Sequence, residues 1–471
     1  TYGQVLGIPG FPSLSNEGTI LSITSKEGLT LHAVSYSLLW HQNTIKMDGG
    51  WSLEIIDPLN PCTGSTNWSS SVDVNGGTPG KQNSINASNA DIAPPQLIRT
   101  FSPDSQTIIA IFDEPLDSTT AASVTKYSLQ NENILSAEPI PPLFNQVRLT
   151  LSTPLEIGTI YTFTVTAVTD CSGNTIGGFN TAKAGILEEA APTDLVINEI
   201  LFNPKPNSYD YVELYNRSNK ILDASKLYIA NRNASGTISS SKKWAEMSYA
   251  VFPGEYIVLT EDRLSLEKEY LVKYPENVLH LSSLPSFPDD EGTVVITNVQ
   301  GTVLDEVRYN KNWHFALISD AEGVALEKVD PNSPSQNKDN WHSAASTVGY
   351  GTPTYKNSQY GQPVINASTI TLSSKTFSPD NDGLDDLLSI HFNMPQSGFV
   401  ANVTIFNARG IPVRYLVKNG TMGLKGSWTW DGLDDSNNKL PVGPYIISTE
   451  LFNLQGHKLQ YKNAVVLAAR L

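Results

Sequence analysis

Apolar and polar positions along the chain alternate over short stretches broken by turn residues, and this pattern predicts strands. Ile108-Ile-Ala-Ile-Phe112 is an apolar run ending in the acidic turn Asp113-Glu-Pro-Leu-Asp117. Val147-Arg-Leu-Thr-Leu151 alternates with the period of two that a half-buried strand requires. Leu155 to Val165 places Gly158 in a turn that feeds a strand, and Asp170-Cys-Ser-Gly-Asn174 closes the segment as a Gly/Asn turn. Gly76-Gly77 and Gly177-Gly178 are further turn material. No apolar run approaches the roughly 20 residues that span a bilayer as a helix.

The chain repeats itself. Val34-Ser-Tyr36 through Trp40-His41 matches Val307-Arg-Tyr309 through Trp313-His314. Leu53-Glu54 and Asp57-Pro58 match Leu326-Glu327 and Asp330-Pro331, and Pro61 matches Pro334. Asn67-Trp68, Gly77-Thr78-Pro79 and Asn83-Ser84 match Asn340-Trp341, Gly351-Thr352-Pro353 and Asn357-Ser358, at a steady spacing of 273 or 274 residues. Glu17-Gly18-Thr19 finds a counterpart in Glu291-Gly292-Thr293. A fixed period of this kind marks duplicated structural units. The second copy starts earlier, with Asp194 to Pro204 and Tyr211 to Asn216, which have no equivalent ahead of Thr1. The first copy is therefore expected to lack its N-terminal strands, and the chain to be part of something larger. The absence of a signal peptide then carries no weight.

The ordered motifs Ile197-Asn-Glu199-Ile, Asp210-Tyr-Val-Glu213-Leu-Tyr-Asn216, Phe252 to Thr260 and Glu291 to Thr297 resemble the lamin-tail domain. That domain is an immunoglobulin-like sandwich found in nuclear lamins and in many secreted bacterial proteins. The closing Asp-Pro, Asn-Trp, Gly-Thr-Pro and Asn-Ser motifs look like the version in multi-domain proteins of the Bacteroidota. The segment between the copies resembles the bacterial Ig-like module of S-layer-type surface proteins. Phe377-Ser-Pro-Asp380, Trp428-Thr-Trp430-Asp-Gly432 and Leu440 to Tyr445 look like the Ig-like domain of flagellar-hook-capping proteins and related C-terminal domains of secreted Bacteroidota proteins. In that group such domains often serve the type IX secretion system as export and attachment signals, although this sequence departs from the clearest sorting pattern. The resemblances imply an all-β chain of tandem immunoglobulin-like β-sandwich domains. Its modules are a partial lamin-tail domain at 1–85, a bacterial Ig-like domain at 86–187, a complete lamin-tail domain at 188–360 and a hook-capping-like domain at 361–471.

Composition agrees with this architecture and narrows the function. A length of 471 residues predicts several domains. Charged residues make up only 17%, and 33 Gly and 29 Pro suit many short strands and turns. The net charge of −16, with no dense Lys/Arg run, disfavours nucleic-acid binding and is compatible with divalent cations.

Candidate chemistry is sparse. Asp380, Asp382, Asp385 and Asp386 cluster around Gly383. Such oxygens suit Ca²⁺, the one cofactor that enters the reading, but the spacing lacks the EF-hand register. The alternative is a set of Asx turns capping a strand entry. Asp431, Asp434 and Asp435 form a second, weaker candidate for a cation. The seven histidines show no metal-ligand spacing and accompany no nucleophile motif, and His41 and His314 follow tryptophans at equivalent repeat positions, which implies a structural role. Glu199 and Glu213 could pair for glycoside hydrolysis, but no second acid/base group surrounds them in the sequence. Trp40, Trp68, Trp313 and Trp341 are expected as anchors of the repeat, and Trp51 has no counterpart. Cys62 and Cys171 are the only cysteines. They are either separate thiols or a disulfide that locks neighbouring modules in an oxidising compartment.

These features predict a non-enzymatic secreted or cell-surface scaffold, associated with the outer membrane and binding a protein or glycan partner. One alternative is the accessory part of a secreted hydrolase whose catalytic domain lies ahead of residue 1. Another is a subunit or cargo of an outer-membrane machine, in contact with it or with the secretion machinery through the C-terminal module.

Overall fold

The structure is a computed structural model and describes residues 6–60, 64–318, 320–361 and 368–469. The chain is all-β and built of tandem immunoglobulin-like sandwiches. It divides into two compact units, Thr1–Leu187 and Glu188–Leu471.

The first unit opens with two hairpins: β1 (Gly18–Thr24) with β2 (Thr30–Ser37), and β3 (Leu53–Ile55) with β4 (Trp68–Ser70). No Ala, Val, Ile, Leu, Met, Phe, Tyr or Trp described before Leu97 is buried. From Leu97 onward a true sandwich forms. β5 (Leu97–Asp104), β6 (Thr107–Phe112), β8 (Ile134–Pro139) and β9 (Gln146–Leu151) make a sheet in the order β5-β6-β9-β8. β7 (Tyr127–Leu129), β10 (Tyr161–Val165) and β11 (Thr181–Ala184) make a second in the order β11-β10-β7. Their alternate residues, among them Ile108, Phe112, Val147, Leu149, Leu151 and Phe163, form one buried cluster. Alternation therefore translates directly into burial, with the side chains between Val147, Leu149 and Leu151 turned outward.

The second unit begins with β12 (Leu195–Leu201), β13 (Tyr211–Asn216), β14 (Leu222–Asp223), β15 (Leu227–Arg232), β16 (Ile238–Lys243), β17 (Ala250–Val251), β18 (Tyr256–Thr260) and β19 (Val278–His280). It continues with β20 (Glu291–Asn298), β21 (Val303–Asn310), β22 (Leu326–Lys328) and β23 (Trp341–Ser343). A six-stranded sheet, β19-β18-β13-β12-β22-β23, faces a four-stranded sheet, β16-β15-β20-β21. Leu195, Ile197 and Ile200 meet Val294, Ile296 and Val307 between them. Every residue of β12 is buried, because Leu201 joins a second cluster with Tyr211, Val258 and Tyr270.

The last module contains β24 (Thr369–Leu372), β25 (Thr376–Phe377), β26 (Leu388–Asn393), β27 (Phe399–Asn407), β28 (Pro412–Thr421), β29 (Lys425–Trp430), β30 (Gly443–Asn453) and β31 (Lys458–Leu467). They form a three-stranded sheet, β24-β26-β29, and a five-stranded one, β25-β31-β30-β27-β28. Its sequence motifs converge in the core: the fully buried Trp430 ring lies 5.1 Å from Phe377 and 5.4 Å from Tyr445. This module is tied to the one before it by backbone groups. Ser346 N donates to Thr421 Oγ1, Ser346 Oγ to Thr421 O, Gln359 Nε2 to Met422 O and Leu424 N to Ser358 O.

The repeat is physical. Trp40 and Trp68 lie 6.3 Å apart at 38°, and Trp313 and Trp341 lie 6.4 Å apart at 37°. His41 Nδ1 meets Ser70 Oγ at 2.7 Å, as His314 Nδ1 meets Ser343 Oγ at 3.0 Å. Asn67 and Asn340 each donate to the carbonyl of the matching aspartate, Asp57 and Asp330, at 2.9 Å. The matched Glu-Gly-Thr triplets are an exception. Tyr36 pairs with Thr19, whereas Tyr309 pairs with Gly292, so strand pairing sets the triplets one position apart. Gly292 is required there because the Tyr309 ring occupies the space a Cβ would need.

Candidate functional site

Three glutamates lie side by side in the first sandwich of the second unit. Glu199 on β12 is paired in register with Glu213 on β13 and with Glu327 on β22, and all three are fully buried. Sequence reasoning singled out the first two but not Glu327, whose signal was the repeat partner Glu54. Neutralising groups come from the motif that closes the module. Thr354 N donates to Glu213 Oε2 at 2.6 Å, and Ser358 Oγ and Gln359 N donate to Glu327 Oε2 at 2.8 Å. Tyr211 Oη donates to Glu199 Oε1, which also accepts Thr352 N at 2.9 Å. The Gly-Thr-Pro and Asn-Ser signature is thus a polar lid over a row of acids.

That lid fixes a proton. Thr352 Oγ1 lies 2.6 Å from Glu199 Oε2 and 2.9 Å from Glu327 Oε1. A hydroxyl has one proton to give, so it can donate to only one of these carboxyls. A hydrogen bond on both sides therefore requires the other carboxyl to carry a proton and donate it to the hydroxyl. Burial, and then the neighbouring carboxylate, push the pKa of Glu199 upward, and the same two causes raise Glu213. Burial also raises Glu327, against the opposing hydrogen bonds from Gln359, Ser358 and Thr352. With every strong donor already engaged by the fold, the row is built to hold the module together.

Two acidic groups offer oxygen ligands. The carboxylates of Asp380, Asp382 and Asp386 come within 4.8 Å of one another, while Asp385 is not part of that grouping. These carboxylates are occupied as Asx turns: Asp386 accepts the backbone N–H groups of Asp380, Asn381 and Gly383, and Asp382 accepts that of Leu384. Asp431, Asp434 and Asp435 likewise accept backbone N–H groups from Leu433, Ser436 and Tyr415.

The second group was not foreseen, because its members are far apart in sequence. Asp91, Glu114 and Asp170 also converge within 4.8 Å. Asp170 is buried, held by Ser172 N and Asn174 N, and Asp91 Oδ2 is buried without a hydrogen-bond partner. Burial, followed by the charges of Asp91, Asp113 and Asp170, pushes Glu114 up to about 8.

His314 is pushed down to about 4 by burial, and its Nε2 has no partner, which suits a neutral packing role beside Phe202 at 5.4 Å. Cys171 lies in the turn after β10, whereas Cys62 falls outside the described residues.

Residues 188–311 match the family model of the lamin tail domain, and residues 66–182 match that of a bacterial Ig-like domain. A search of curated proteins returns no significant match. Among solved structures, the N-terminal part of the bacterial S-layer protein SbsC is 14% identical with a TM-score of 0.19, over 46% of this chain and 44% of that one. The chain therefore spans less than half the length of that structure. CopC from Methylosinus trichosporium is 18% identical with a TM-score of 0.16, over 22% of this chain and 97% of that one. A DUF4876 family protein from Bacteroides thetaiotaomicron is 13% identical with a TM-score of 0.19, over 44% and 83% respectively. Scores this low carry nothing about activity.

Proposed function

We propose that this chain is a non-enzymatic modular scaffold of the cell surface or extracellular space, holding and binding a protein or glycan partner. The observation that carries the reading is the engagement of its acids. Glu199, Glu213 and Glu327 are sealed under residues 352–359, and burial pushes the partly buried His314 ring down to about 4. The lamin-tail and Ig-like matches support it as scaffold modules. The finer part of the proposal gives the C-terminal module a role in type IX sorting or in attachment at the outer membrane.

A hard cation such as Ca²⁺ belongs, in this proposal, to Asp91, Glu114 and Asp170 in preference to the Asp380 group. The former leave an oxygen unpaired and crowd like charges, whereas the latter spend their oxygens on their own loop.

The test is deletion of residues 368–471 in the source cell, with surface labelling and fractionation of the medium. Loss of display with accumulation inside the cell supports sorting, and release into the medium supports attachment. Unchanged display rejects both roles. Glycan-array and pull-down screening with the intact chain tests the binding half, and turnover of a polysaccharide or phosphoester substrate by the purified chain would overturn the non-enzymatic reading.

A further inference from the structure

Three outward positions of β13 follow one another along the strand, since Val212 and Leu214 between them face the core. Tyr211 is covered by Tyr270 at 5.6 Å, and Glu213 by Thr354 N, but Tyr215 is left half-buried. Its cross-strand partner on β18 is Tyr256, and the two rings stack at 4.7 Å and 29°. Tyr360, which is 37% exposed, stands beside them. Burial first, and then the nearness of Tyr360, push Tyr215 up, whereas burial, Tyr215, the buried Glu213 and Tyr360 push Tyr256 up. Lys356 is exposed, and its Nζ lies 3.7 Å from the centre of the Tyr360 ring.

The fold does not require these residues. The lid that carries Lys356 and Tyr360 matches residues 77–86, where Gly-Thr-Pro and Asn-Ser recur. At the same two positions the matching lid has Gln82 and Asn86, whose side chains bond each other at 2.6 Å. Both lids close over a buried glutamate, so the lysine and the tyrosine are additions to a lid that works without them. The hydroxyls agree. Those of Tyr211, Tyr249, Tyr270 and Tyr309 in this sandwich each donate to a carboxyl or carbonyl oxygen. Those of Tyr215, Tyr256 and Tyr360 make no hydrogen bond among the described residues. Three rings with free hydroxyls and an ammonium at their edge form amphipathic contact area held rigid by a sheet.

We propose that Tyr215, Tyr256, Tyr360 and Lys356 form a binding site for an acidic glycan, a chain of pyranose rings bearing uronate carboxylates. This partner is a finer form of the scaffold reading above and rests on it. The C–H face of a pyranose lies flat on the tyrosine rings, and its hydroxyls exchange hydrogen bonds with the phenols. Lys356 Nζ donates to the uronate carboxylate, and that charge selects an acidic glycan over a neutral one. Glu213 beneath the rings does not repel the anion, since burial favours its uncharged form.

The test is isothermal titration calorimetry of the whole chain with hexasaccharides of polygalacturonate, alginate and hyaluronate, and with cellohexaose as the uncharged control. At least one acidic hexasaccharide is expected to bind more tightly than cellohexaose. Tyr360→Asn should weaken that binding at least ~10-fold, and Lys356→Gln about 5-fold with no effect on cellohexaose. The double variant recreates the Gln82–Asn86 pair of the matching lid, and amide exchange of residues 195–216 equal to that of the wild type verifies its closure. Wild-type affinity in the double variant overturns the site, and so does failure of all three acidic probes to bind. Cellohexaose binding as tightly as the acidic probes overturns the selection by charge. A protein partner that binds the wild type and is lost from the double variant overturns the glycan assignment while the scaffold reading stands. Cleavage of a probe overturns the scaffold reading instead.

Discussion

Replacing Glu199 by Gln should stabilise the second unit at neutral pH. Gln is the shape of a protonated glutamic acid: its Nε2, standing where Oε2 stands, donates to Thr352 Oγ1, which then donates to Glu327 Oε1. In the wild type that arrangement requires a bound proton. The folded pKa is raised above the unfolded value of 4.5, so the folded state holds a proton that the unfolded state releases. Stability from this group is thus fully present below pH 4.5 and is lost as pH rises through the folded value. One retained proton makes stability fall by more than ~1 kcal/mol per pH unit, or roughly 3 kcal/mol between pH 5.5 and 7.5. Glu199→Gln should remove that much of the decline while leaving the contribution of all other groups in place. The assay is urea-dependent hydrogen exchange of peptides from residues 195–216, read at pH 5.5, 6.5 and 7.5. This local readout is needed because a multi-domain chain has no single unfolding free energy. Parallel pH dependence in the two proteins would refute the shared proton, and a loss of stability at pH 7.5 would refute Gln as its mimic.

Glu54→Gln should act in the opposite sense. Burial works to raise its pKa, but hydrogen bonds from Thr78, Ser84 and Ser71 outweigh it and hold the group low, so its contribution is present at neutral pH and fades below about 4.5. Exchange of residues 53–55 should therefore quicken at pH 7 in the variant and match the wild type at pH 3.5. Thr421→Val removes the hydroxyl that accepts from Ser346 N and leaves that N–H unpaired, a cost of roughly 1–3 kcal/mol. Amide hydrogen exchange of residues 344–348 should quicken in the variant, and unchanged exchange there would reject the cost. Titration calorimetry with CaCl₂ should show a binding event that Glu114→Gln abolishes and Asp382→Asn leaves intact, and retention of binding in Glu114→Gln rejects the Asp91, Glu114 and Asp170 site. Non-reducing peptide mapping should recover Cys62 and Cys171 in one linked peptide, and recovery of both as free thiols removes the expected bond.

What was legible in the sequence was whatever local pattern dictates. Alternation marked the strands at Val147–Leu151 and Tyr161–Val165, and the spacing of repeated residues marked two copies of one module. Paired tryptophans and the His–Ser contacts then fell at matching places, because identical side chains in identical registers make identical contacts. What stayed hidden was convergence. Glu327 is more than a hundred residues from Glu199, and Asp91, Glu114 and Asp170 come from a linker and two turns. No periodicity connects such positions, and only the completed sheets bring them together. The Asp380 cluster shows the converse. It is dense in sequence because turns need Asp and Asn, and its carboxylates close their own loop.

The repeat adds something neither copy states alone. Around Glu199, Glu213 and Glu327 the Gly-Thr-Pro and Asn-Ser lid covers three carboxyls, and around Glu54 the matching residues cover one. Glu54 is itself buried, so its carboxylate relies on those donors in place of water. The donors are arranged as they are around Glu327, with Asn83 reaching the carbonyl of Ile55 as Asn357 reaches that of Lys328. One lid therefore serves two electrostatic settings: it holds Glu54 low, whereas at Glu327 burial wins and the group is raised.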